Sequence, residues 1–341
     1  MIPIVVEISG EAPELAAAEA VAAAEVLGGR ATPGMREERE GLVAVDVPDR
    51  AAASSLAARL GLARRVLAPL GRAGEVVDRL REEGRTGRSA AVRRLGRPSS
   101  GERDAGVRCA GAAYVDGGGR IDLEAPARRF WLAAPDALGD RLFEEVGAVD
   151  RRSTGARRMT SLPFQRPVSL APRFARALAN LARVRSGDRV VDPFVGTGAL
   201  LAEAALLGAR IFGCDRDPQM VRGALRNFSH LGVSAEALAV GDAGRVELGA
   251  PGATFDALLT DPPYGRSSST GREGDAVIER VLPRWADRVR PGGRVVVVVP
   301  RPIAPPGPGW ESRLAVPVRV HRSLTREFRV FERSGPTARP A

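Results

Sequence analysis

The sequence predicts an α/β chain, in which a mostly parallel, seven-stranded sheet covered by helices on both faces follows a smaller α+β region. Three observations predict it. From residue 189 onward, runs of almost continuous Val, Ile and Leu alternate with helical stretches, the pattern of strands buried on both faces. The 341 residues exceed a single hydrophobic core, leaving room for an accessory region before the main domain. Residues 151–165, poor in apolar side chains, separate the two patterns.

In chain order, residues 3–8 are a short apolar run read as a strand, and an Ala-rich helix then runs to Leu27 and stops at Gly28-Gly29. Residues 42–47 alternate as a strand, while 50–60 and 73–83 read as helices. Arg, Gly, Ser and Pro dominate 84–106, the composition of an exposed connection. Residues 107–115 and 121–126 read as a hairpin turned at Asp116-Gly-Gly-Gly, with 129–133 strand-like after it. Beyond the boundary, strands are predicted at 189–194, 210–215, 236–241, 255–260 and 294–300, with helices at 198–207, 218–231 and 273–289. No helix separates 314–320 from 327–332, so an antiparallel hairpin is expected to close the sheet.

Composition narrows the function. The chain carries 51 basic and 41 acidic residues, net +10, but every basic residue is Arg, so coding bias discounts the total. Distribution says more. The first sixty residues hold five Arg against ten acids, whereas 151–176 hold seven Arg and no acid, a footprint suited to a phosphate backbone. Arg151, Arg152, Arg157 and Arg158 are therefore candidate contacts to a nucleic-acid backbone, against the plainer reading of a solvated linker. Cys109 and Cys214 fit no metal spacing and His230 and His321 are the only histidines, so no metal site is expected. No apolar stretch approaches the ~18 residues of a membrane span, and the first residues lack a basic signal region, so a cytoplasmic protein is expected.

Val190-Val-Asp-Pro-Phe-Val-Gly-Thr-Gly198 follows a predicted strand and opens a helix, where glycines let a ligand approach the backbone at the sheet's carboxyl end. Its spacing matches neither the dinucleotide fingerprint nor the P-loop, so the ligand need not carry phosphate. Asp215, ending the second strand, can accept both hydroxyls of a ribose, and Asp242, after the third, can accept an adenine amino group. Asp217 is read as a helix N-cap. A lone acid at a strand end is usually a cap or turn residue. Asp192, Asp215 and Asp242 after three successive strands are harder to explain that way.

The fourth strand delivers Asp261-Pro262-Pro263-Tyr264-Gly265. Two prolines fix their φ angles and remove two donors, which leaves the loop's carbonyls rigidly aimed. An exocyclic amino nitrogen on a base is a poor nucleophile because its lone pair is delocalised into the ring. A carboxylate and a fixed carbonyl accepting its N–H bonds localise that lone pair toward a methyl donor, and Tyr264 offers a face for stacking. Asp261 can also take the released proton. The competing reading is a simple tight turn after a strand.

These features resemble the class I amino-methyltransferases. More narrowly, Arg166-Pro-Val-Ser-Leu-Ala-Pro-Arg-Phe-Ala-Arg-Ala-Leu-Ala-Asn180, Asp192-Pro-Phe-Val-Gly-Thr-Gly and Asp261-Pro-Pro-Tyr-Gly-Arg-Ser-Ser268 resemble the archaeal-type tRNA guanosine-10 N2-methyltransferases. The segments 9–19, 120–126 and 144–153 are also similar to that family. The resemblance implies a ferredoxin-like segment over 1–60, a THUMP RNA-binding domain over 61–150, a basic linker over 151–165 and a Rossmann-like methyltransferase domain over 166–341. It implies S-adenosyl-L-methionine as cofactor, held by Asp192, Pro193, Phe194, Gly196, Thr197, Gly198, Asp215, Arg216, Asp242 and Ala243. It makes Asp261, Pro262, Pro263 and Tyr264 catalytic and tRNA the partner, while the sequence leaves the oligomeric state open, with a monomer as the expectation. Val195 stands where relatives often have Cys, and Arg166 where His is common. The alternatives are an amino group on another RNA guanine or on a DNA adenine or cytosine, a non-catalytic RNA-binding protein, and a glutamine or protein methyltransferase. Asn in place of Asp261 would favour the last of these and other targets.

Overall fold

The computed structural model describes residues 1–32, 41–71, 75–95, 105–133, 142–150, 155, 157, 161–166, 169–250, 252–263, 271–321 and 324–335. They form two compact units, one made of Met1–Pro13, Leu27–Ala58 and Ala63–Val149, the other of Glu14–Val26, Arg59–Leu62 and Asp150–Ala341.

The first unit is built on strands β1 (Ile2–Ile8), β2 (Arg30–Ala31), β3 (Leu42–Val47), β4 (Ala63–Gly71), β5 (Ser89–Arg94), β6 (Arg120–Ile121), β7 (Arg128–Leu132) and β8 (Leu142–Ala148). They form one sheet in the order β2-β3-β1-β4-β8-β7-β5-β6. Helices α2 (Arg50–Arg59), α3 (Val76–Gly84) and α4 (Ala105–Asp116) accompany it, while α1 (Pro13–Val26) falls almost wholly in the second unit.

Several elements differ from expectation. Residues 107–115 lie in α4, not in a strand, and the buried Ala110, Ala113 and Tyr114 have helical spacing. The glycines after it end that helix rather than turning a hairpin. Gly118 has φ +101°, and Gly119 N–H donates to the Tyr114 carbonyl at 3.1 Å. A Cβ at Gly84 would lie 2.2 Å from the Tyr114 carbonyl oxygen, and one at Gly117 would lie 2.0 Å from that of Arg81, so glycine permits the close approach of α3 and α4. The stretch expected as a connection contains β5, which pairs in parallel with β7.

The second unit carries β9 (Arg189–Asp192), β10 (Arg210–Asp215), β11 (Ala235–Val240), β12 (Phe255–Thr260), β13 (Val289–Val299), β14 (Trp310–His321) and β15 (Leu324–Arg333). Its seven-stranded order is β11-β10-β9-β12-β13-β15-β14. The first five run parallel, and β15 is antiparallel to both neighbours, so the expected closing hairpin is present. The helices are α5 (Pro172–Leu181), α6 (Ala199–Leu206), α7 (Pro218–His230) and α8 (Gly271–Ala286). Val295 to Val299 on β13 are fully buried, and Trp285 packs among Phe255, Phe212 and Leu258 at the core.

One consequence of this order positions the site. After β9 the chain builds outward to β10 and β11, then returns to place β12 on β9's other side. The order therefore reverses between β9 and β12, and the crevice at the carboxyl ends there is where open α/β sheets bind ligands.

Candidate active site

Both motifs flank that crevice. β9 ends at Asp192 and feeds the glycine loop, while β12 pairs with it in parallel and ends at Thr260, one residue before Asp261.

Gly196 (φ +54°) and Gly198 (φ +84°) take the left-handed conformation that glycine adopts without strain. A Cβ on Gly198 would lie 2.6 Å from the Phe228 ring, so this position also needs glycine for space. Gly196 is different. An added Cβ there would meet nothing nearer than the Phe194 carbonyl oxygen at 4.0 Å, which leaves an open backbone face for a ligand. Gly213 lets β10 lie against the loop, since its Cβ would fall 2.3 Å from Val195 and 2.8 Å from the Asp192 carbonyl oxygen.

The acids divide by role. Asp192 is buried, and its Oδ1 accepts the Thr260 hydroxyl at 2.8 Å and the Phe194 N–H at 2.8 Å. Burial pushes its carboxyl up to about 7, with the charges of Asp215 and Asp261 adding to the rise. Asp215 is half-buried and braces the loop, its Oδ2 accepting the Gly196 N–H at 2.9 Å and its Oδ1 the Asp217 N–H at 2.9 Å. Asp217 caps α7 as the sequence suggests, accepting the Gln219 N–H at 2.7 Å. Asp242 is exposed and accepts the Gly244 N–H at 2.7 Å, while the carbonyl of buried Ala243 accepts the Trp285 indole N–H at 2.8 Å. Pro193 is buried, and its carbonyl accepts the Cys214 thiol at 3.4 Å. Phe194 is half-buried and Arg216 exposed.

Asp261 is half-buried, Pro262 buried and Pro263 exposed, while Tyr264 lies outside the described residues. The structure adds a partner that no local motif announces: Arg326 Nη1 on β15 lies 3.1 Å from Asp261 Oδ2.

Of the candidate RNA contacts, Arg151, Arg152 and Arg158 lie outside the described residues. Arg157 turns inward, its Nε 2.7 Å from Glu203 Oε1, and Arg176 Nε meets the other oxygen of that buried carboxylate at 2.7 Å.

Two further residues shape the loop and were invisible to motif reading. Asn227 on α7 accepts the Phe164 N–H at 3.0 Å and donates at 3.0 Å to the carbonyls of Phe164 and Thr197, tying the segment before the domain to the glycine loop. The Ser169 and Thr197 hydroxyls lie 2.8 Å apart and make a second tie. Among the described residues no helix is long and apolar enough to cross a membrane, and no cluster of metal-ligating side chains occurs.

Residues 160–305 match the UPF0020 family, described as RMKL-like, methyltransferase domain. The tRNA (guanine(10)-N2)-dimethyltransferase of Methanothermobacter thermautotrophicus is 34% identical over 224 residues. That match covers 64% of this chain and 65% of the relative, just under two thirds of its length. A Methanothermococcus thermolithotrophicus protein with the name "Probable tRNA (guanine(10)-N2)-dimethyltransferase" is 30% identical over 48% of this chain and 99% of its own length. Over 97% of this chain and 99% of the other, the fold is similar to the crystal structure of TrmN from Thermus thermophilus, with a TM-score of 0.51 and 23% identity.

Proposed function

We propose that this chain, which belongs to the archaeal-type tRNA guanosine-10 N2-methyltransferase family, methylates the exocyclic N2 amino group of a guanosine in tRNA, at position 10. The observation that carries the proposal is the pairing of β9 with β12, which sets the glycine loop and the Asp261-Pro262-Pro263 turn side by side at the reversal of strand order.

The residues fit S-adenosyl-L-methionine. Gly196 offers an open backbone face, Asp215 presents a carboxylate for ribose hydroxyls, and the exposed Asp242 suits an amino donor on adenine. Pro193, Phe194, Thr197, Gly198, Arg216 and Ala243 complete the proposed cradle. When bound, that cofactor supplies an electrophilic methyl group on a positively charged sulfur.

The remaining chemistry belongs to the chain. Asp261 accepts an N–H of the guanine amino group, localises the nitrogen lone pair and takes the proton released as the N–CH3 bond forms. Pro262 and Pro263 hold the turn rigid, so alignment is set before the base arrives. Tyr264 stacks on the guanine. In the same reading the first unit is the ferredoxin-like and THUMP part that grips cytoplasmic tRNA, with Arg151, Arg152 and Arg158 meeting its phosphates.

Labelled cofactor incubated with bulk tRNA, followed by digestion to nucleosides, tests this directly. Label in N2-methylguanosine supports the reading, and label only in adenosine, cytidine or protein overturns it.

A further inference from the structure

Arg326 lies 65 residues from Asp261 in sequence, yet the antiparallel insertion of β15 between β13 and β14 brings them together. Register fixes the placement. Glu327 pairs with Val299 at the end of β13, and Arg326 faces Val318 on β14. The ion pair is substantially dry, with side-chain exposures of 8% for Arg326 and 19% for Asp261.

Such a pair is weak evidence for stability, because removing a guanidinium from water offsets most of the Coulomb gain and apolar replacements are often neutral. A carboxylate that must accept an amino proton has a stricter need: one oxygen fixed, its charge kept, its plane aimed. The negative charges of Asp215 and Asp261 both bear on buried Asp192 at this end of the sheet. A cation held against Asp261 counters that repulsion where it matters for the reaction.

We propose that Arg326 is a positioning residue for methyl transfer, binding Asp261 Oδ2 and so fixing the plane and the charge of the carboxylate that meets the amino group of the target base. The inference rests on the amino-methyltransferase reading and goes beyond it by naming what orients the carboxylate. In this role Arg326 acts through Asp261.

The test compares Arg326→Ala, Arg326→Met and Arg326→Lys with the wild-type chain on tRNA, measuring kcat, KM for cofactor and tRNA, and the melting temperature. A misplaced group at a reacting centre costs on the order of 100-fold, so kcat is expected to fall by about that factor in the alanine and methionine variants while both KM values stay within about threefold. Lysine, which restores a cation, is expected to recover part of the loss, and so is millimolar guanidinium added to the alanine variant. Wild-type kcat in the folded alanine and methionine variants overturns the inference. Loss with no recovery by lysine or guanidinium also overturns it, marking Arg326 as structural. A wild-type chain that methylates no guanosine sinks the functional reading and this inference together, whereas an active wild type with indifferent Arg326 variants sinks the inference alone.

Discussion

Thr260, the last residue of β12, donates its hydroxyl to Asp192, the last residue of β9, at 2.8 Å. This bond ties the strand that carries the proposed catalytic turn to the strand that carries the glycine loop. Asp192 is therefore engaged inside the fold, bracing the junction of the two motifs.

Thr260→Val keeps the shape of the side chain and deletes that donor, leaving a buried carboxyl one partner short. Stability is expected to fall by about 1–3 kcal/mol. Urea unfolding of the variant beside wild type checks it, and an unchanged midpoint would mean the bond does not contribute.

The pH dependence of stability follows from two buried acids. Burial pushes both Asp192 and Glu19 up to about 7. Each binds its proton more tightly folded than unfolded, so its contribution is fully present below about pH 4, where the unfolded carboxyl is also protonated. The contribution is lost as pH rises through about 7. The unfolding free energy of Asp192→Asn relative to wild type is thus expected to rise across that window, measured by denaturant unfolding at several pH values. A difference flat with pH contradicts the assignment.

Much of the second unit was legible because its central strands are largely buried and its motifs sit at strand ends. Residues 210–215 and 255–260 form the strands expected, and Asp192, Asp215, Asp242 and Asp261 all stand at or just past strand ends. The first unit was harder to read. In α4, Gly and Ala dominate, and small residues give no clear period until their burial is known. In β5, Ser-Ala-Ala-Val-Arg-Arg offers a single β-branched residue, so composition pointed to a connection while pairing with β7 made a strand. Arg326 is legible only through the register of β15, which no local pattern encodes.

Asn227→Ala removes a buried side chain making three hydrogen bonds, each 3.0 Å long, to Phe164 and Thr197. The glycine loop keeps its residues but loses its tether. Cofactor affinity is expected to drop about tenfold, equivalent to about one hydrogen bond, as read by calorimetric titration. Unchanged affinity would show that the loop holds its shape without the tie.

The two cysteines should differ in reactivity. Cys109 is exposed, whereas Cys214 is buried and its thiol is pushed up to about 12, by burial first and then by neighbouring carboxylates. A colorimetric thiol reagent at pH 8 is expected to modify Cys109 in the native chain and both thiols after denaturation. Prompt modification of native Cys214 would contradict the packing of β10.

The central claim is that the Asp261 carboxylate promotes attack by a guanine amino nitrogen. The most direct measurement is single-turnover methyl transfer from labelled cofactor to tRNA by Asp261→Ala, alongside its cofactor affinity. General acid–base groups contribute about 100- to 10,000-fold, so a rate loss in that range with cofactor binding retained is the predicted result. Methyl transfer by Asp261→Ala at the wild-type rate would contradict the account.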